Sequence, residues 1–361
     1  MKTPLLPALV LALSLVAATN AVAQTEATPQ RLSYPAISPD GRTLIFSWQG
    51  DRGRVPAQGG DAERITVHNA VETRPVWFPD GNRIAFSSSR NGSFDIYTMR
   101  PNGTDLRRIT YDAGAEYPNW ISADGKQIYG QTNTFGRGDL FRVSANGGDL
   151  VRLTDHPLEG AYLAALSPDG KTVYYNRGSY RETSWQKLRT VSPALPEIWA
   201  ADNTVPLRNH RRLTENEATD LTPIPTADGS LTFVSNREGN PNIWRSKLDG
   251  KGARRLTAHT VGAARNPSVT RDGRYVAYEY DSKLYLLDTK LGKDTPLEIR
   301  VPADSRVNPR SDITVATSET FEVSPDGRRM VIASRGDLFL TLERGGPTRR
   351  LTTNPALDTQ P

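Results

Sequence analysis

SPDGRTLIFS, residues 38–47, returns six more times along this chain: FPDGNRIAFS from Phe78, SADGKQIYG from Ser122, SPDGKTVYYN from Ser167, TADGSLTFVS from Thr226, TRDGRYVAYE from Thr270 and SPDGRRMVIAS from Ser324. Its aspartates are Asp40, Asp80, Asp124, Asp169, Asp228, Asp272 and Asp326, at steps of 40, 44, 45, 59, 44 and 54 residues. Four of the six steps fall at 40 to 45, the period of a four-stranded propeller blade. Ser or Thr, often Pro, then Asp and Gly suit a tight turn, in which Pro pre-sets its backbone angle and Gly tolerates unusual ones. The β-branched and aromatic run behind each turn is a strand.

Two more phrases recur inside each period. A polar residue followed by an apolar and an aromatic one marks a third strand: DIY at Asp95, DLF at Asp139, EIW at Glu197, NIW at Asn242, KLY at Lys283 and DLF at Asp337. RIT or RLT, ending at Thr66, Thr110, Thr154, Thr214, Thr257 and Thr352, marks a short fourth strand behind a Gly-bearing turn. Four short strands per unit and no helical period predict an all-β propeller of four-stranded blades. One blade cannot bury both its faces, so the blades must stack around an axis.

The exceptions carry expectations too. Where other units have an apolar residue and an aromatic, the first reads Arg52-Gly53. Glycine in a strand costs about 0.5 to 1 kcal/mol and each lost buried side chain about 1.5 to 3 kcal/mol, so blade one is expected to be the weakest. The 59-residue step holds an insertion, GSYRETSWQKLRTVSPALPEIW, expected to lie as a loop over one face. The sixth unit has no RLT phrase.

Composition narrows the function classes. Lys2, an apolar run from Leu5 to Ala18 and a small-x-small pair at Ala21 and Ala23 read as a signal peptide of residues 1–23, cut between Ala23 and Gln24. No later stretch approaches membrane-spanning length, so the mature chain is expected outside the membrane, in the periplasm or secreted. Cysteine is absent, which excludes disulfides, thiolate chemistry and a lipid-bearing cysteine. Loss of Lys2 leaves 44 basic residues against 40 acidic ones, a mild excess rather than a basic stripe, and nucleic acid is not an expected partner.

Catalytic motifs are missing. No serine has Gly two residues to each side, and there is no HExxH, phosphate loop, calcium loop or dinucleotide fingerprint. No catalytic residue, metal or cofactor is expected. His68, His156 and His259 each follow an RIT or RLT threonine by two residues, which places them in different blades as polar loop residues rather than joint ligands. Asn91-Gly92-Ser93 and Asn102-Gly103-Thr104 read as turns before glycosylation sites. The pairs Arg107-Arg108, Arg211-Arg212, Arg254-Arg255 and Arg349-Arg350 share one register and read as solvated outer-strand residues. A binding surface is better sought in the insertion. There Arg181, Trp185 and Arg189, beside Tyr180, combine aromatic area with guanidinium donors able to take a peptide carboxylate, although the simpler reading is that Trp185 packs the loop down.

The whole phrase, S-P-D-G-x-x-I-x-F-S then D-I-Y then R-x-L-T, resembles the TolB propeller repeat from Leu32 onward. More narrowly, YYNRGSYRETSWQKLRTVSPALPEIWAADN and FEVSPDGRRMVIASRGDLFLTLERGGPTRRLTTNPALDTQP resemble the paired propellers of tricorn-type serine peptidases. That resemblance implies a six-bladed propeller over residues 24–300, its ring closed by a strand from the residues before Tyr34, a linker at 301–312 and the first blade of a second propeller at 313–361. A single closed seven-bladed ring is the alternative. Because RLTTNPALDTQP repeats RITVHNAVETRP, residues 64–75, the chain is expected to stop about one strand into a further blade. The family places a PDZ module and a serine peptidase core after its propellers, so the resemblance implies a non-catalytic part that binds or gates peptides, in a parent open to homo-oligomerisation. The rival function is a stand-alone TolB-like periplasmic propeller that binds protein partners.

Overall fold

The computed structural model describes residues 32–301, apart from 69, 137, 157, 158, 179–195 and 216, together with residues 320–334, 337–342, 348–352 and 358. The signal segment with Ala23 and Gln24, nearly all of the 301–312 stretch, and Arg181, Trp185 and Arg189 lie outside the described residues. Among those described, every regular element is a strand. Seven four-stranded antiparallel sheets follow one another, over residues 32–64, 72–108, 116–152, 160–212, 220–255, 265–296 and 320–350.

The repeated phrase folds as a hydrogen-bonded turn between the first two strands of each sheet. In blade one the Ser38 hydroxyl donates to Asp40 Oδ1 at 2.5 Å, Arg42 N donates to the same oxygen at 3.1 Å, and Thr43 N donates to Ser38 Oγ at 2.9 Å. Gly41 closes the turn at φ 72°, where a side chain would be strained. The pattern returns at Ser122 and Asp124, and at Ser167 and Asp169. The recurring aspartate is thus a turn carboxylate.

Six of the sheets close a ring. Each seam holds an apolar cluster: Ile45 with Ile84 and Phe86 between blades one and two, Phe78 and Ile96 with Ile128 and Phe141 between two and three, and Leu140 with Val173 and Tyr175 between three and four. Ile198 with Leu231 and Phe233, Val234 with Val276 and Tyr278, and Ala277 with Leu44 and Phe46 fill the other three. Burying one such side chain is worth about 1.5 to 3 kcal/mol. Blade one's innermost strand, Leu32–Ile37, packs directly against two strands of blade six, Arg265–Val269 and Tyr275–Tyr280, so a single seven-bladed ring is excluded. Among the described residues, no side chain of the sheet at 320–350 belongs to the ring's apolar clusters, and Phe321, Val323 and Leu342 are exposed.

Closure differs from the expected device. Leu32–Ile37 belongs to blade one and pairs with Thr43–Trp48, while blade six draws all four strands from its own residues. The chain leaving blade six makes the clasp instead. Ile299–Arg300 lies parallel to Gly60–Asp61; Gly60 N donates to Glu298 O and Ala62 N to Arg300 O, each at 2.8 Å, and Arg300 Nε meets Asp61 Oδ1 at 2.7 Å. Leu297, Ile299 and Val301 are buried with Leu32, Val55 and Ala57. The missing RLT phrase of the sixth unit is replaced by Lys293–Pro296, after which Leu297 N donates to Leu284 O at 2.8 Å.

Blade one's Arg52-Gly53 does not leave a gap. The Phe46 ring of the adjacent strand lies where a Cβ of residue 53 would stand. Arg52 is completely buried, donates to Ser47 Oγ and sets its guanidinium carbon 5.5 Å from the centre of the Phe86 ring. Burial pulls its pKa down to about 10, against the pull of Glu72 and Asp51, so it remains a cation at neutral pH. The space assigned to two lost side chains is filled from the neighbouring strand and by the arginine itself.

Candidate functional site

The six innermost strands surround an axial cavity of about 460 Å³, within the usual range of ligand sites. One backbone device shapes its wall. Each innermost strand carries a register shift at the same place, and in five blades the bulged residue has positive φ: Tyr34 (50°), Arg74 (54°), Leu163 (55°), Thr222 (57°) and Asn266 (46°). Blade three has Pro118 in that position, whose ring forbids positive φ, and its shift falls between Pro118 and Trp120. A proline follows the bulge in four blades, as Pro35, Pro75, Pro223 and Pro267. Proline has no N–H, and on an innermost strand it blunts an edge that would otherwise recruit another strand.

Behind the bulges, one position of the second strand meets the next blade by a hydrogen bond in blades two, three, four and six. The position is Ser47, Ser87, Gln131, Asn176, Val234 and Glu279 in blades one to six. Ser87 Oγ donates to Glu116 O at 2.7 Å, Leu163 N donates to Gln131 Oε1 at 3.1 Å, and Thr222 N donates to Asn176 Oδ1 at 2.8 Å. In blade six, Glu279 Oε1 accepts from Tyr34 N across the closing seam and from Asn266 Nδ2 at 2.7 Å.

Among the described residues, the charged side chains on the wall are Arg74, Arg265, Arg271 and Glu279, set among Tyr34, Trp77, Trp120 and Tyr162. The Arg74 guanidinium carbon lies 4.5 Å from the centre of the Tyr117 ring and 6.0 Å from that of Tyr34. Stacking of this kind holds a guanidinium by its face. Three guanidiniums against one carboxylate give the wall a positive bias, which favours acceptor-rich or anionic groups on a ligand.

The structure sorts the other candidates. Of the arginine pairs, Arg107, Arg211 and Arg254 are exposed, as solvated outer-strand residues should be. The second members are not merely solvated. Arg108 pairs with buried Asp95 at 2.9 Å and Arg212 pairs with Glu197, as Arg152 does with Asp139 at 3.0 Å. The DIY aspartate and the RIT arginine are separate phrases in sequence, and only the pairing of adjacent strands makes them neighbours. The histidines stay apart. His68 Nδ1 accepts from Ala70 N at 3.0 Å, His156 Nδ1 accepts from Glu159 N at 3.1 Å, and His259 stacks on Tyr280 at 3.6 Å between ring centres. Among the described residues no three His, Asp or Glu side chains are placed to hold a metal. The asparagine motifs are turns: Gly92 N donates to Ser89 O at 3.1 Å and Gly103 N to Arg100 O at 2.9 Å. Sequence reasoning passed over the cavity wall, although an X-Pro dipeptide shortly before the turn phrase marks it in four blades.

Comparison with known proteins agrees with this geometry. Tricorn protease homolog 1 of Streptomyces coelicolor is 27% identical over 344 residues, covering 92% of this chain and 30% of that protein. The tricorn protease homolog of Saccharolobus solfataricus is 30% identical over 119 residues, covering 33% of this chain. The crystal structure of the tricorn protease superposes with a TM-score of 0.65 at 22% identity, over 91% of this chain and 32% of that one. TolB from Acinetobacter baumannii superposes with a TM-score of 0.54 at 18% identity over 75% of this chain, which is a likeness of fold. The chain therefore spans about a third of Tricorn protease homolog 1 and of the tricorn protease of the crystal structure, and the match to the Saccharolobus solfataricus protein covers 11% of that protein. The family model of the tricorn protease N-terminal beta propeller domain matches residues 29–293, and the chain belongs to that family.

Proposed function

We propose that this propeller handles peptides for an exported tricorn-type serine peptidase, its axial cavity binding or gating substrates or products. Peptide-bond cleavage is assigned to a catalytic part outside this sequence, and residues 1–23 to export into the periplasm or beyond. One observation carries the reading: all six blades contribute to a cavity whose wall sets Arg74, Arg265, Arg271 and Glu279 among aromatic rings. Guanidiniums suit the carbonyl and carboxylate oxygens of a peptide, and aromatic faces suit its side chains. Prolines at four bulges keep a peptide from being trapped as an added strand, which favours passage over permanent capture.

Binding of short fluorescein-labelled peptides to the purified chain tests this, read as fluorescence anisotropy. Replacing Arg74 and Arg265 together by alanine is expected to weaken binding about tenfold or more without lowering the melting temperature comparably. Unchanged affinity in that variant contradicts the assignment of the site. Peptide hydrolysis by the purified chain, abolished by serine-directed reagents, contradicts the placement of catalysis elsewhere.

A further inference from the structure

Blades two, three and five each set a buried carboxylate at the same place in their innermost strand, and blade three lacks the arginine that partners it in the other two. In blade two, the carboxylate of Glu72 accepts from the Thr66 hydroxyl of blade one at 2.6 Å and pairs with Arg90 of its own blade. In blade five, Asp220 occupies the same place and pairs with Arg237 at 2.9 Å. Blade three has Glu116 there, fully buried. Where the sister blades read Ser88-Ser89-Arg90 and Ser235-Asn236-Arg237, blade three reads Thr132-Asn133-Thr134. Among the described residues, hydroxyls alone hold Glu116: Thr134 at 2.9 Å, Thr132 at 3.1 Å and, across the seam, Thr110 of blade two at 3.3 Å.

Among the described residues, the groups facing it supply no compensating cation. Asp95 on the strand Ser93–Met99 and Asp112 on the following connection are both acidic. Arg108 on Arg107–Arg108 is paired with Asp95, Arg90 on Ile84–Asn91 is paired with Glu72, and Arg74 on Glu72–Trp77 stacks on Tyr117. Tyr97 shares a hydrogen bond with Asn91. Its own neighbour, the strand Gln127–Thr132, carries no charged residue. Burial is the main force on Glu116 and pushes its pKa up to about 7; the hydroxyls of Thr134 and Thr132 restrain the rise, and Asp112 and Asp95 add to it.

We infer that Glu116 is a proton-operated lock on the seam between blades two and three, closed when the carboxyl is neutral and loosened when it is charged. The folded-state value stands above the 4.5 of an ordinary glutamate, so the stabilisation is complete below that value and is lost as pH rises through about 7. The lock reaches the cavity wall through the next residue, because the Tyr117 ring carries the stacked guanidinium of Arg74.

Hydrogen exchange on the native chain, read by mass spectrometry and expressed as protection relative to the equivalent strand Asp220–Pro225 of blade five, tests the lock. Between about pH 5 and 8, relative protection of Glu116–Ile121 is expected to fall by up to about a hundredfold. Glu116→Gln should make it independent of pH. Thr134→Arg, which rebuilds the sister blades' ion pair, should abolish the alkaline loss too. A wild-type slope equal to that of blade five overturns the proposal, as does retention of the wild-type slope by either variant. Thr134→Arg leaves Glu116 in place and decides the matter by itself if Glu116→Gln does not fold.

Discussion

The ring of Phe46 covers the bare Cα of Gly53, with its far edge where a Cβ would have to be. Glycine is therefore needed in a strand where its propensity is poor. Gly53→Ala is expected to destabilise the chain by about 1 to 3 kcal/mol through overpacking, which outweighs the gain in strand propensity. Urea unfolding of the two proteins checks this, read as a shift in midpoint at constant slope.

The closing clasp rests on apolar burial more than on its exposed ion pair. Ile299 is 4% exposed and packs with residues of blade one. Ile299→Ala is expected to cost about 2 to 4 kcal/mol and to raise hydrogen exchange at Gly60 and Ala62 first. Asp61→Asn removes the negative charge opposite Arg300 in an exposed pair and should leave the unfolding midpoint nearly unmoved. Equal effects of the two variants would count against this division.

The turn aspartates set an acid limit. Asp40, Asp124 and Asp169 are held below the usual carboxylate value chiefly by the serine hydroxyl two residues earlier, opposed by burial and helped by backbone donors. Their folded values lie below 3.8, so their contribution is present above that pH and is lost as pH falls through the folded value. Acid unfolding followed by circular dichroism should begin below about pH 4, and Ser38→Ala should move its midpoint upward. A midpoint unmoved by Ser38→Ala would count against the assignment.

Thr222 is a β-branched residue at φ 57° on the cavity wall. Such a residue is strained there, and glycine is not. Thr222→Gly is expected to raise stability by about 0.5 to 1 kcal/mol, the backbone contact from Thr222 N to Asn176 being kept. A differential scanning melt reads the gain directly.

Much of the fold is legible in local phrases because local chemistry writes them. Ser-Pro-Asp-Gly closes a turn with its own side chains, and the alternating run behind it has nowhere to go but a strand. The clasp was not legible, since Ile299 and Gly60 meet only through the closed ring and neither carries a phrase of its own. Arg52 reads as a flaw because sequence shows which residue is absent from a strand, not which neighbour fills the space. The cavity wall was half legible: X-Pro before the turn signals a broken edge, but that six such edges face one axis follows only from the ring. The binding candidates chosen from composition, Arg181, Trp185 and Arg189, lie outside the described residues. The wall residues Arg74 and Glu279 drew no notice because each is a single charge on a strand.

Photolabelling is the most direct measurement of where peptides bind. A short peptide carrying a benzophenone side chain, irradiated with the purified chain and mapped by mass spectrometry, should label the innermost strands, Leu32–Ile37, Glu72–Trp77 and Glu116–Ile121, with competition by unlabelled peptide. Saturable labelling confined to the outer strands, with the innermost strands untouched, would contradict the assignment of the axial cavity as the peptide site.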